Sequence, residues 1–136
     1  MTIRNQIAGL SLLLVFFGGI SLVFAEDHWS DDWKVSVNGK ADSGGVISFK
    51  LTFEPEGEDA RRDPVTVMAP IPDNTKENDI ADMMGNAFRA ILGDDDFKVD
   101  VSWGENVKVK TRGDTPDFLL EITDNSVQGI SLKLKD

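Results

Sequence analysis

Apolar residues recur at helical spacing in one part of the chain, residues 74–93. Seven of them stand three or four positions apart, as on one face of an amphipathic helix: Ile80, Met83, Met84, Ala87, Phe88, Ile91 and Leu92. Asn74 or Thr75 is expected to cap the helix, with Glu77 at the capping-box spacing from Asn74, and Gly93 is expected to end it. The pattern therefore predicts a helix over about residues 75–92, with Gly85 as an unfavourable interior residue.

Apolar and polar residues alternate singly on both sides of this helix. The alternation predicts strands over about residues 33–38, 47–53, 65–69, 97–103, 107–112, 118–123 and 130–135. Ser43-Gly44-Gly45 and Gly104-Glu105-Asn106 are typical of hairpin turns. Regular alternation indicates strands with one face in water. The predicted fold class is thus α+β, a mainly antiparallel sheet of about six to seven strands with the helix packed on one face.

Residues 65–110 carry a series of short motifs around the helix. They are VTV at 65–67, DNT at 73–75, DIA at 79–81, and then FKVDV, GEN and VKVK within 97–110. In this order they resemble the β-β-α-β-β modules of phage tail and bacterial surface proteins. The resemblance implies an assembly, adhesion or scaffold role without chemistry. The charged segment 54–64 departs from the short turn that is usual in such modules.

The first 25 residues differ in composition from the rest. Arg4 precedes an uncharged apolar run over residues 7–24, and Val23-Phe24-Ala25 suits signal peptidase. The pattern predicts a bacterial-type signal cleaved before Glu26 and a secreted or periplasmic protein. An uncleaved run would be long enough to anchor the protein in a membrane. The expected divisions are a signal peptide (1–25), a flexible acidic lead-in (26–32) and a single α+β domain (33–136).

The net charge restricts the partners. Residues 26–136 contain 13 Lys and Arg against 24 Asp and Glu, since Arg4 is the one charged side chain removed with the signal, so their formal charge is −11. A surface this acidic argues against nucleic acid, and against anionic membranes once the signal has been cleaved. The chain has no cysteine, so the core must hold the fold without disulfides.

The sequence lacks the residue sets of the common nucleophilic mechanisms. It has no cysteine, and its single histidine, His28, lies in the lead-in. A serine triad would therefore have no base, and the Gly-x-Ser-x-Gly elbow is missing. We expect a protein that is not an enzyme, although a pair of carboxylates acting as in a glycosidase stays open.

Two groups of residues have the chemistry of metal ligands. After cleavage, Glu26, Asp27 and His28 would supply an amine, two backbone amides and an imidazole, a square-planar set for copper(II) or nickel(II). Asp94, Asp95, Asp96 and Asp100 lack the ordered spacing of a calcium loop. This second group is interpreted as a solvated turn, and calcium is not expected.

Most basic residues occupy outward positions of the predicted strands. They are Lys34, Lys50, Lys98, Lys108, Lys110, Arg112, Lys133 and Lys135. The pattern predicts a locally basic sheet face, which either docks an anionic surface or an acidic patch of a second copy, or only keeps the strands soluble. Trp29 and Trp33, in and beside the acidic lead-in, are further candidate interaction residues because interfaces favour Trp as an anchor.

These features favour an exported, non-catalytic binding or assembly module that contacts a protein partner or copies of itself. The first alternative is a secreted ligand-binding or inhibitory domain, which would use the space between helix and sheet or the loop 54–64. The second alternative is a small hydrolase that uses acids.

Overall fold

The computed structural model describes residues 28–57, 62–102 and 104–136. These residues form seven strands and one helix in the order β1 (Asp32–Gly39), β2 (Gly45–Phe53), β3 (Val65–Ile71), α1 (Glu77–Leu92), β4 (Phe97–Ser102), β5 (Asn106–Thr111), β6 (Phe118–Asn125) and β7 (Ile130–Lys135). The α+β class and the antiparallel pairing are confirmed. The expected signal peptide lies outside the described residues. Within those residues, α1 is too short and too polar to span a bilayer.

The strands divide into two sheets, where the pattern alone suggested one. The first has the order β4-β5-β1-β7 and the second β3-β2-β6, with every pairing antiparallel. The expected hairpin at Ser43-Gly44-Gly45 is wrong, because the chain crosses there from the first sheet to the second. The expected hairpin of β4 and β5 is confirmed.

Aromatic side chains join the two sheets across the core. Phe97, from the four-stranded sheet, lies with its ring centroid 5.6 Å from that of Phe118 and 6.0 Å from that of Phe53, both in the three-stranded sheet. The indole N–H of Trp33 on β1 donates a hydrogen bond of 2.8 Å to the carbonyl oxygen of Phe118. The inner faces of both sheets are therefore fastened to each other by packing and by a buried polar contact.

The helix completes the core by contacting β3 of one sheet and β4, β5 and β1 of the other. Phe88 is fully buried, with its ring centroid 4.7 Å from that of Phe49 on β2. Gly85 is buried as well, and a Cβ there would lie 2.6 Å from Cγ2 of Val101. The glycine thus permits the close approach of α1 to β4. Ile91 is 57% exposed in the last turn, so the expectation that it packs in the core is wrong.

The helix begins without the expected side-chain cap. Lys76 occupies the cap position and makes no capping hydrogen bond. The hydroxyl of Thr75 instead donates to the carbonyl oxygen of Pro72 at 2.6 Å, and the carboxylate of Glu77 accepts from the backbone N–H of Gly39 at 3.0 Å. These side chains fasten the start of the helix to neighbouring backbone. At the other end, Gly93 has a φ of 74° and donates to the carbonyl oxygen of Arg89, which confirms the expected stop.

The second half of the expected flexible lead-in is bonded to the sheets. The N–H and carbonyl of Ser30 pair with the carbonyl and N–H of Phe118 at 3.0 and 2.9 Å. The N–H of Thr111 donates to the carbonyl oxygen of Asp31 at 2.9 Å. Residues 30 and 31 therefore extend β1 between the start of β6 and the end of β5.

Candidate functional site

One surface gathers most of the strand lysines. Side chains alternate along a strand, and Trp33, Val35 and Val37 of β1 are buried, so Lys34 points away from the core. The register of the neighbouring strands places further lysines beside it. The outward side of the four-stranded sheet, called the lysine face below, carries six of them: Lys34, Lys98, Lys108, Lys110, Lys133 and Lys135.

Cross-strand pairing brings these lysines directly opposite one another. One row runs across all four strands as Asp100, Lys108, Lys34 and Lys135. The next row contains Lys98, Lys110 and Asp32. Three neighbouring pairs therefore join two lysines: Lys98 with Lys110, Lys34 with Lys108, and Lys34 with Lys135. Like charges in this arrangement destabilise an antiparallel sheet.

Two aspartates on the lysine face offset part of this repulsion. The Nζ atom of Lys108 lies 3.3 Å from Oδ2 of Asp32, and that of Lys98 lies 3.7 Å from Oδ2 of Asp100. No described carboxylate forms an ion pair with the lysines at the β7 side of the face or with Lys34. The lysine face therefore retains positive charge that its own acids do not balance.

The lysine face and the rest of the chain carry charges of opposite sign. Six lysines and two aspartates give the lysine face a formal charge of +4, which leaves −14 for the rest of a chain whose total is −10. The helix packs on the inner side of the same sheet, and its acids Asp79 and Asp82 are exposed. Asp79 and Asp82 thus lie on the other side of the four-stranded sheet from the lysine face, with Lys76 and Arg89 as the exposed basic residues at the two ends of the same helix.

A shallow polar groove of about 360 Å³ lies at the end of the lysine face next to the β4–β5 turn. It is lined by Ser36, Val37, Asn38, Glu105, Asn106, Ser131 and Lys133. The hydroxyl of Ser36 donates to Oδ1 of Asn106 at 2.6 Å. The groove adds amide and hydroxyl groups to a surface that otherwise offers ammonium groups.

The carboxyl group of Glu105, at the edge of this groove, interacts with that of Glu77 at the start of the helix. The backbone N–H of Gly39 lowers the pKa of Glu77, and the hydrogen bond to Glu77 together with its charge raises the pKa of Glu105.

Three of the candidate interaction residues lie away from the lysine face. Trp33 is only 3% exposed and its indole is bonded within the core, so a partner cannot reach it. Trp29 is half-buried beside the start of β1. Lys50 lies in the three-stranded sheet, opposite Thr66 and Glu121. The sheet assignment separates it from the other lysines, because alternation predicts the outward direction of a side chain but not its sheet.

The candidate metal ligands are dispersed or lie outside the described residues. Glu26 and Asp27 are outside them, so the copper or nickel set stays a prediction, and the imidazole of His28 contacts the carboxylate of Asp136. Asp96 contacts Arg62, with 3.5 Å between Oδ2 and Nη1, while Asp94 and Asp95 are exposed. Across residues 28–57, 62–102 and 104–136, no three His, Cys, Asp or Glu side chains are arranged to hold a metal ion.

Sequence reasoning missed the groove and the carboxyl pair. Ser36, Asn38 and Asn106 stand at outward strand positions, but only the register brings them together. The contact of Glu77 with Glu105 joins residues 28 positions apart, and no local pattern marks it. Comparison with protein-family models, with curated proteins and with solved structures finds no match to this chain.

Proposed function

We propose that this protein is a non-catalytic binding module that docks an acidic protein surface on its lysine face. The observation that carries the proposal is the set of lysine pairs directly opposite one another across β4, β5, β1 and β7. Each such pair costs about 0.2–1 kcal/mol, and that cost is offset when a partner brings anions to the face.

The alternative role of these lysines is to keep the strands soluble, and their positions in the sheet support it less than they support docking. Lysines protect edges, yet Lys34, Lys108 and Lys110 stand on β1 and β5, the two central strands of their sheet. A formal charge of −10 already keeps the molecule far from neutrality. Neither edge protection nor solubility requires a basic patch in the middle of this sheet.

Export is part of the same proposal. The apolar run over residues 7–24 and the small residue at Ala25 support a secreted or periplasmic location, with cleavage before Glu26. The resemblance of residues 65–110 to modules of phage tail and bacterial surface proteins supports an assembly or adhesion role. Mass spectrometry of the protein recovered from expressing cells should find Glu26 as the first residue.

Binding to immobilised poly-L-glutamate tests the docking role. The variant Lys34→Gln/Lys108→Gln/Lys135→Gln removes three charges from one row of the face. The control Lys40→Gln/Lys50→Gln/Lys76→Gln removes three charges elsewhere and has the same net charge. We expect the first variant to bind about tenfold or more weakly, a loss of about 1.4 kcal/mol, and the control to bind as wild type.

Two results would contradict the docking role. Equal losses in both variants would mean that only net charge matters, so the arrangement on the sheet would have no role. Binding that does not weaken between about 0.15 and 1 M salt would mean that the contact is not electrostatic.

A ligand-binding domain is the second candidate, and the groove beside Asn106 favours it. Its volume of about 360 Å³ is within the range of small-molecule sites. The space between helix and sheets does not serve this role, since Ile80 and Phe88 fill it and are fully buried. Asn106→Ala should weaken a groove ligand without changing binding to poly-L-glutamate, and screening a panel of small polar metabolites against both proteins would show this.

A further inference from the structure

We infer that the occupant of the lysine face is a second copy of this chain, bound head to tail; the inference rests on the proposed docking function. In residues 26–136, whose formal charge is −11, the face carries +4 and the remainder −15. Every copy therefore brings both a basic surface and a large acidic one. A second copy supplies the required complementary charge without any further partner.

The placement of the charges suits stacking of copies in one direction. The lysines project from the outer side of the four-stranded sheet, while α1 covers part of its inner side. Residues 76–95, which contain α1, carry five acids against Lys76 and Arg89, a formal charge of −3. One copy can therefore present its acidic side to the lysine face of the next while both keep the same orientation. The lysine face of the second copy then stays open for a third.

A two-fold axis through the lysine face is unfavourable. It would press one lysine face against another, because a two-fold interface places the same patch of both subunits in contact. Like charges juxtaposed at an interface cost several kcal/mol. Contact of the lysine face with the helix side of the next copy is instead heterologous, and heterologous contacts produce rings when the rotation closes and filaments when it does not.

The strength of this association should pass through a maximum as salt is added. At about 0.01 M salt the screening length is about 30 Å, so two molecules of strongly negative net charge repel as wholes. At about 0.15 M it falls to about 8 Å, which screens the distant acids and spares the contact charges. At about 1 M it is about 3 Å, and the contact itself weakens.

Light scattering on mixtures of two proteins tests the inference. The variant Lys34→Gln/Lys108→Gln/Lys135→Gln should be monomeric alone, because its face is impaired. It keeps its acidic side, so in excess it should occupy the lysine faces of wild-type copies and reduce their assemblies to one-to-one dimers. The control Lys40→Gln/Lys50→Gln/Lys76→Gln should assemble with the wild type without shortening its assemblies.

The remaining outcomes separate this inference from the proposed function. A wild-type protein that is monomeric at all three salt concentrations but binds poly-L-glutamate overturns self-association and leaves an acidic partner protein. A fixed dimer that the variant does not disturb means a two-fold contact elsewhere and overturns the inference. A wild-type protein that neither self-associates nor binds poly-L-glutamate overturns both proposals. Circular dichroism checks the fold of each variant, and Lys34→Gln alone replaces the triple variant if that is unfolded.

Discussion

At the scale of single residues, Lys34 experiences the strongest unfavourable charge on the lysine face. It lies between Lys108 on β5 and Lys135 on β7, and no described carboxylate forms an ion pair with it. Because Lys34 is in the middle of the row, we expect its charge to destabilise the fold and to favour binding of an acidic partner. A change there that stabilises the fold should weaken binding.

Reversing this charge should therefore stabilise the protein. Lys34→Glu converts two repulsive cross-strand pairs into attractive ones, and we expect the free energy of unfolding to rise by about 1 kcal/mol. Urea denaturation measures the change, and binding to poly-L-glutamate should fall in the same variant. Lys50→Glu is the matched control, because Lys50 lies opposite Glu121 and reversal there creates a repulsion. Destabilisation by both substitutions would mean that the lysine pairs carry no strain.

The pair of Glu77 and Glu105 should make stability depend on pH. Glu105, with a raised pKa, contributes stability that is complete below the ordinary value of 4.5 and is lost as pH rises through the raised pKa. Glu77, with a lowered pKa, contributes stability that is present above 4.5 and is lost as pH falls through the lowered pKa. The contribution of the pair is therefore greatest near pH 4.5 and declines toward neutral pH.

Glu105→Gln should remove that decline. A glutamine amide donates to the Glu77 carboxylate at any pH and carries no charge, so the melting temperature at neutral pH should exceed that of the wild type. The two proteins should differ less near pH 4.5. Melting curves recorded by circular dichroism at both pH values provide the measurement, with Glu56→Gln in the exposed loop as control. A variant that melts lower at neutral pH would show that the charged pair is not strained.

At the scale of elements, the helix should contribute to stability through a narrow part of its apolar face. Phe88 is fully buried against Phe49, so Phe88→Ala should lower the free energy of unfolding by about 3–5 kcal/mol. Ile91 is 57% exposed, so Ile91→Ala should lower the free energy of unfolding by less than about 0.5 kcal/mol. Denaturant unfolding of both variants compares them, and equal losses would mean that the helix packs with a different face.

Local patterns predicted the elements because local geometry determines them. Alternation placed all strands within a few residues of their observed bounds, and the three-and-four spacing did the same for α1. The failures involve distant partners. The carboxylate of Glu77 accepts a hydrogen bond from the N–H of Gly39 instead of capping its own helix. Periodicity placed Ile91 on the apolar face of the helix, but it did not show that the core ends before this residue. The division into two sheets depends on pairings between strands far apart in sequence.

The candidate site was predictable to the same extent. Outward positions identified the lysines of the lysine face one strand at a time. Their arrangement in rows could not be read from the sequence, since the register of β1 with β5 and β7 depends on the whole sheet. Gly85, expected only to weaken the helix, has a packing role because Val101 lies against it. Such contacts exist only in the assembled fold.

At the scale of the whole molecule, the segment before β1 should stabilise the domain. A chain beginning at Asp32 loses the paired hydrogen bonds of Ser30 with Phe118 and the acceptor at Asp31. At about 0.5–1.5 kcal/mol for each of these three bonds, the free energy of unfolding should fall by about 1.5–4.5 kcal/mol. A chain beginning at Trp29 keeps these bonds and is the matched control. Identical melting temperatures of the two would indicate that residues 29–31 make no lasting contact in solution.

The position of β1 has a consequence for the order in which the protein folds. It is synthesised before both of its partner strands, β5 and β7, and its residues pair with others 70 to 101 positions further along. Pairing across such separations is slow, because a long loop must close before any contact is gained. The four-stranded sheet is complete only once β7 has been added. Until β5 has been made, β1 has no partner strand in its sheet, and its core residues Trp33, Val35 and Val37 stay in contact with water.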